Sequence, residues 1–231
     1  MDEEKRQQIL EAAAGILERD GAQAVSTRSV AAAAGIRAAS LYQLFGDMDG
    51  LLGALAVHGF EMYLAVKHDQ AWSGDPVGDM RRGWDMHVDF GLRHPAFYLL
   101  MFGADRPGRR PPAAGEARDL LLGFLDRVAA AGRLRVPPAL AADMSLAAVT
   151  GVTLALIGQP EAGRDPDLAA RMREVLVEAL TTAPPPRGDY VHPGIGPRAL
   201  ALDAALTGAE DVPLRPNETA LLRDWLNQLA R

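Results

Sequence analysis

Apolar residues recur along this chain at intervals of three and four, and no stretch alternates with period two. The pattern therefore predicts helices throughout and no strands. A first helix is expected over about Glu3 to Arg19, where Ile9, Ala13, Ile16 and Leu17 form one stripe and Gly21 supplies a C-terminal stop. Two short helices follow, near Thr27 to Ala34 and about Arg37 to Leu44, with Gly35 breaking the chain between them. Ser26 or Thr27 suits the N-cap of the first of these, since either hydroxyl accepts an orphan backbone N–H. Helices this short do not persist alone in water, so Val30, Ala31, Ala34, Ile36, Leu41 and Phe45 must pack on the first helix. Gly46-Asp47 closes the pair, and Asp47 is placed to cap a longer helix reaching about Lys67.

Further on, a helix starts at Pro76 with Met80, Trp84, His87 and Gly91 on one face. His94-Pro95 interrupts it, and Phe97, Tyr98, Leu100, Met101 and Phe102 make the next short helix strongly apolar. Gly103 to Gly115 reads as an exposed loop. Leu120, Leu121, Phe124, Leu125 and Val128 then mark an amphipathic helix ending near Gly132. Pro138 to about Gly158 is apolar on nearly all sides and is expected to be buried; its longest apolar stretch, Ala147 to Gly158, is too short to span a bilayer. An amphipathic helix is expected over Pro166 to Thr182, then a stiff Pro184-Pro185-Pro186 linker. Two last helices are expected near Pro197 to Thr207 and Asn217 to Ala230, the latter with Leu221, Leu222, Trp225, Leu226 and Leu229 as a docking face.

Charge tempers what these helices can bind. The net charge is −6, and the first fifty residues set Lys5, Arg6, Arg19, Arg28 and Arg37 against Asp2, Glu3, Glu4, Glu11, Glu18, Asp20, Asp47 and Asp49. A nucleic-acid claim must therefore rest on pattern and geometry rather than on bulk charge. The chain has no cysteine, which excludes disulfides and thiolate metal sites. MDEEKRQQIL at the start lacks the basic-then-apolar pattern of a signal peptide, and a soluble cytoplasmic protein is expected. The motifs of acyl transfer, phosphate cradling and dinucleotide binding are absent, and so is any i, i+4 histidine pair, although His58 and Glu61 share a helical face. No enzyme activity, cofactor or metal is expected.

The segment from Thr27 to Phe45, with Val30-Ala31, Ala34-Gly35-Ile36, Ser40-Leu41-Tyr42 and Phe45 followed by Leu51-Leu52, resembles the signature of the tetracycline-repressor (TetR) family. The similarity is specific over about Gln7 to Leu52; His94-Pro95-Ala96-Phe97-Tyr98 resembles ligand domains of that family more loosely. The resemblance implies an all-α protein with an N-terminal three-helix helix-turn-helix domain and a larger helical ligand-binding and dimerisation domain. Residues 1–47, 48–183 and 184–231 are the expected DNA-binding domain, ligand and dimer domain, and C-terminal helical extension. It further implies a homodimeric repressor that reads palindromic double-stranded DNA and answers to a small-molecule effector.

By the same resemblance, Thr27, Ser40 and Tyr42 match positions that touch the DNA backbone, and Arg28, Arg37, Ala38 and Gln43 fall where base edges or nearby phosphates are met. Arg can read guanine and Gln adenine, while alanine offers a thymine methyl only its own methyl. Three departures stand out. Met48 replaces a phosphate-binding lysine, Gly50 replaces a glutamate that would complete the capping box behind Asp47, and Arg37 stands where a capping serine is common.

Trp84, His87, Phe90, Phe97, Tyr98, Met101 and Phe102, with Trp72 and Met80 nearby, are the candidate lining of an apolar pocket, with His87 as its polar group and Asp85 and Asp89 facing solvent. Helices over about 139–158 and 166–182 are the candidate two-fold interface, where Ala147, Ala148, Gly151 and Ala155 permit close approach. Three roles are open to the last helix: covering the pocket, extending the dimer or bracing the domain. The rival to a regulator is a small-molecule-binding protein of the same fold that has weak or lost specific DNA recognition, motivated by the acidic N-terminus and Met48.

Overall fold

The computed structural model describes residues 2–68, 73–103, 112–165, 167–182, 194–209 and 212–230. Trp72, most of the loop before α7, His192 and the Pro184-Pro185-Pro186 linker lie outside them. Among the described residues the fold is all-α. The helices are α1 (Asp2–Asp20), α2 (Thr27–Ala33), α3 (Ala38–Phe45), α4 (Met48–His68), α5 (Pro76–Arg93), α6 (Pro95–Phe102), α7 (Pro112–Ala130), α8 (Pro138–Ile157), α9 (Leu168–Leu180), α10 (Ile195–Gly208) and α11 (Pro216–Leu229), with short 3₁₀ turns at Ala22–Ala24 and Glu161–Gly163. α7 begins at Pro112, so the expected loop through Gly115 is shorter; the Ala- and Glu-containing run after Pro112 is a good first turn.

The chain divides into two compact units. One comprises residues 1–69, 86–117 and 153–163. Its main core joins Ile9, Leu10, Ala13, Ile16 and Leu17 of α1 to Val30, Leu41 and Phe45 of the two short helices, to Leu51 and Leu55 of α4, and to Phe97 of α6. The turn between α2 and α3 holds because Gly35 sits at φ +64°, a left-handed backbone conformation that costs a residue with a Cβ about 1–2 kcal/mol. Ser26 caps α2 through a reciprocal pair with Ser29. Asp47 caps α4 by accepting the N–H of Gly50 at 2.7 Å. A Cβ at residue 50 would lie 1.9 Å from the Phe45 carbonyl oxygen, so this backbone excludes a glutamate there.

The second unit comprises residues 70–85, 118–152 and 164–231. Its core includes Val77, Met80, Trp84, Phe124, Leu125, Val128, Leu134, Val149, Leu176, Val177 and Leu180. The segment after α7 is strapped to the end of α9: Arg135 donates its N–H to Leu180 O at 2.8 Å, and Thr182 donates its own to Arg133 O at 2.9 Å. The guanidinium groups of Arg133 and Arg135 donate to the carbonyls of Thr182 and Thr181, which places two cations at a helix C-terminus.

Two apolar helices are less covered than expected. α8 was expected to be buried, yet Leu140 is 49% and Met144 36% exposed. Its 20 residues, of mean hydropathy 1.8, also make it long and apolar enough to cross a bilayer, which the shorter stretch Ala147 to Gly158 did not suggest. Asp143 on this helix is ion-paired to Arg118 of α7 at 2.9 Å. In α11, Leu226 turns inward while Leu221, Trp225 and Leu229 are 49%, 53% and 54% exposed. The expected docking face is thus split. Leu221, Trp225 and Leu229, four apart, lie outside, and α11 packs against α10 and is ion-paired to it through Arg223–Asp203 at 2.7 Å.

Candidate nucleic-acid interface and buried polar cluster

The helix-turn-helix presents most of the expected contact residues to solvent. Arg28, Arg37, Ala38, Tyr42 and Gln43 are exposed, while Thr27 and Ser40 are half-buried. The hydroxyls of Thr27 and Tyr42 are 3.1 Å apart, which ties the first turn of α2 to the middle of α3. Arg37 occupies the N-cap of α3 and makes no side-chain cap, while its carbonyl accepts the first-turn N–H of Ser40 at 2.9 Å. Lys5 of α1 donates to Ser40 Oγ at 3.3 Å, and Gln8 donates to the Ala34 carbonyl at 3.1 Å, bracing the turn against α1. Arg6 lies over the ring of Phe45, 5.0 Å from its centroid, closing the other side of the small core. Met48, at the start of α4, is half-buried against the core.

Within the same unit, the structure brings together His87, Phe90, Tyr98 and Phe102, and adds Tyr63 and Lys67 from α4. His87 is buried between two phenols: its Nδ1 is 2.9 Å from Tyr63 Oη and its Nε2 is 2.7 Å from Tyr98 Oη. A neutral imidazole meets both, since one ring nitrogen donates to a phenol oxygen and the other accepts a phenol proton. Burial, and secondarily the charge of Lys67, lowers His87 from the usual histidine range to about 3, so the ring is neutral at ordinary pH. Burial also lowers Lys67 to about 8, while burial and the neighbouring Tyr98 push the Tyr63 phenol up. Lys67 Nζ lies 5.3 Å from the Tyr63 ring centroid. Tyr63, Tyr98 and Phe102 surround the imidazole with edge-on and tilted contacts at centroid distances of 5.3–5.5 Å, and Phe90 packs edge-on against Tyr63 at 5.3 Å.

The remaining pocket candidates divide. Phe97 is buried in the core beneath the helix-turn-helix, and Met101 packs on both that core and the aromatic cluster. Both press on α4 at Gly59, where a Cβ would come within 2.8 Å of Met101 Sδ and 3.0 Å of the Phe97 ring. Trp84 belongs to the other compact unit, where its ring is buried and its Nε1 has no acceptor among the described residues. Asp85 and Asp89 are exposed at their carboxylates, each paired with an arginine, Arg173 and Arg93. The sequence reading passed over Tyr63 and Lys67, whose i, i+4 spacing on α4 was the available signal. Among the described residues no cluster of His, Asp and Glu is arranged to hold a metal ion.

The sequence profile of the bacterial regulatory proteins of the tetR family matches residues 9–55. No curated protein matches the chain in sequence. Solved structures share the fold. A protein of unknown function from Rhodococcus sp. RHA1 is 25% identical, with a TM-score of 0.64 over 77% of this chain and 96% of its own. A TetR-family transcriptional regulator from Agrobacterium tumefaciens is 21% identical, with a TM-score of 0.57 over 79% of this chain and 100% of its own. The multidrug binding protein EbrR, solved with malachite green, is 22% identical, with a TM-score of 0.55 over 77% of this chain and 98% of its own. Residues 9–55, which hold the helix-turn-helix, are thus similar to the bacterial regulatory proteins of the tetR family, and the helical fold is one shared with solved structures that include a TetR-family transcriptional regulator.

Proposed function

We propose that the chain is a homodimeric, ligand-responsive repressor in the cytoplasm, which releases or changes its grip on a palindromic operator when a small apolar or amphipathic molecule binds. Residues 1–47 read the DNA through Thr27, Arg28, Arg37, Ala38, Ser40, Tyr42 and Gln43, residues 48–183 bind ligand and partner, and residues 184–231 extend the second of these. The observation that carries the reading is the buried Tyr63–His87–Tyr98 cluster, which is built partly on α4, the helix whose other end packs against α3. A ligand that differs in affinity for two arrangements of this cluster can bias the position of α4, and hence of α3. Exposed Leu140 and Met144 on α8 and Val175 on α9 support a partner across the helices at about 139–158 and 166–182.

The test is an electrophoretic band shift with the duplex upstream of the chain's own gene, with and without malachite green as a probe of amphipathic aromatic ligands. A specific shift that the dye alters is the expected result. Dye binding with no specific shift would favour the second reading, a binding protein of this fold without specific DNA recognition. That reading draws on the acid-rich α1 start and on half-buried Met48. The absence of both dye binding and a shift would overturn the ligand-responsive repressor.

A further inference from the structure

An open groove of about 790 Å³ runs between α1 and α3, and Lys5, Gln8, Gly35, Arg37, Ser40 and Gln43 are among its walls. The surrounding domain is acid-rich, yet the groove is lined by two cations and by no carboxylate. Lys5 is not splayed into solvent. Its Nζ donates to Ser40 Oγ at 3.3 Å, which holds the ammonium beside α3 in the wall of the groove. Gln8 spends its amide on Ala34 O and so fixes the wall instead of filling the groove. A cation, a hydroxyl and a second cation along one concave wall make a site for a phosphodiester, whose oxygens accept from each.

We propose that this groove carries a DNA backbone phosphate, held by Lys5 and Ser40 with Arg37 beside them, so that Lys5 of α1 adds a phosphate contact to a domain in which Met48 makes none. The inference rests on the DNA-binding reading above and deepens it. It adds to the reading helix a second helix that contributes affinity and no sequence preference.

The experiment measures binding of the full-length protein to a fluorescent duplex of mixed sequence by anisotropy, across a series of NaCl concentrations. Each phosphate contact contributes about −0.9 to the log–log salt slope. Lys5→Gln is expected to flatten the slope by about 0.9 per protomer and to weaken binding roughly ten-fold at low salt, equally on mixed and upstream duplexes. Lys5→Arg is expected to keep the slope. Arg19→Gln removes an exposed charge at the far end of α1 and should leave the slope unchanged. A Lys5→Gln slope equal to wild type, or an Arg19→Gln change as large as that of Lys5→Gln, overturns the proposal. If Lys5→Gln melts below wild type, Ser40→Ala reads the same groove: several-fold weaker binding at unchanged slope supports it, and unchanged binding overturns it. Wild-type protein that binds no duplex at low salt overturns the DNA-binding reading itself, and the groove's role with it.

Discussion

Thr27 Oγ1 and Tyr42 Oη sit 3.1 Å apart, so the two hydroxyls at the exposed face of the helix-turn-helix are already positioned by each other before any DNA arrives. Such mutual positioning reduces the side-chain freedom that binding must remove. Thr27→Val and Tyr42→Phe should each weaken DNA binding by about 1 kcal/mol, and the double variant by less than the sum. Both sites are partly or largely exposed, so urea midpoints should move by less than about 0.5 kcal/mol equivalent. Strictly additive losses in binding would show that the pair does not act as a unit.

Two glycines should fail for opposite reasons. Gly35 lies at φ +64° with no atom near its absent Cβ, so Gly35→Ala should cost about 1–2 kcal/mol through backbone strain alone. At Gly91 a Cβ would come within 2.3 Å of Thr153 Cγ2 and 2.8 Å of the Tyr98 ring. Gly91→Ala should therefore cost about 1–3 kcal/mol by overpacking, and should displace the phenol that bonds His87. Chemical denaturation gives both numbers, and ligand affinity should suffer at residue 91 and not at residue 35.

Acid should loosen the cluster around His87. Its folded-state value of about 3 lies below the ordinary histidine value of 6.5. The unfolded chain therefore binds the proton first as pH falls. The contribution is complete above about pH 6.5 and is lost on descent toward pH 3, at up to about 1.4 kcal/mol per pH unit. His87→Gln keeps a donor and an acceptor but cannot titrate, so its stability profile should be flatter than wild type across this window. Parallel profiles in calorimetric melts would refute the assignment.

Val175 is 61% exposed on α9, an aliphatic side chain with little reason to face water in a lone subunit. Val175→Arg should shift sedimentation from dimer to monomer without lowering far-ultraviolet helicity. Persistence of the dimer would move the interface away from α9.

The helix-turn-helix was legible nearly to the residue because its punctuation is local: a Ser26 cap, Gly35 and Gly46 at positive φ, and apolar residues whose partner helix is adjacent in sequence. The polar cluster was only half legible. His87 stood out on an amphipathic face, but Tyr63 lies 24 residues earlier on α4, a helix apolar all round whose pattern names no inward side. Coverage was the least legible property. α8 is uniformly apolar, and α11 carries two adjacent apolar stripes, so composition marked both as buried; which side meets protein depends on neighbours far along the chain.

Gly59 leaves α4 bare where Met101 and Phe97 of α6 bear on it. α6 also packs against α1, so one short helix touches two of those that carry the helix-turn-helix. α4 is a 21-residue rod, about 30 Å long at the helical rise, and α6 presses near its midpoint. With no side chain on α4 at residue 59 to absorb displacement, a repacking of Met101 against the aromatic cluster would pass into backbone tilt. On the proposed function this contact would couple effector to operator, and Gly59→Ala, by forcing the two helices apart, should uncouple them: DNA binding and effector binding would each persist, but neither would report on the other.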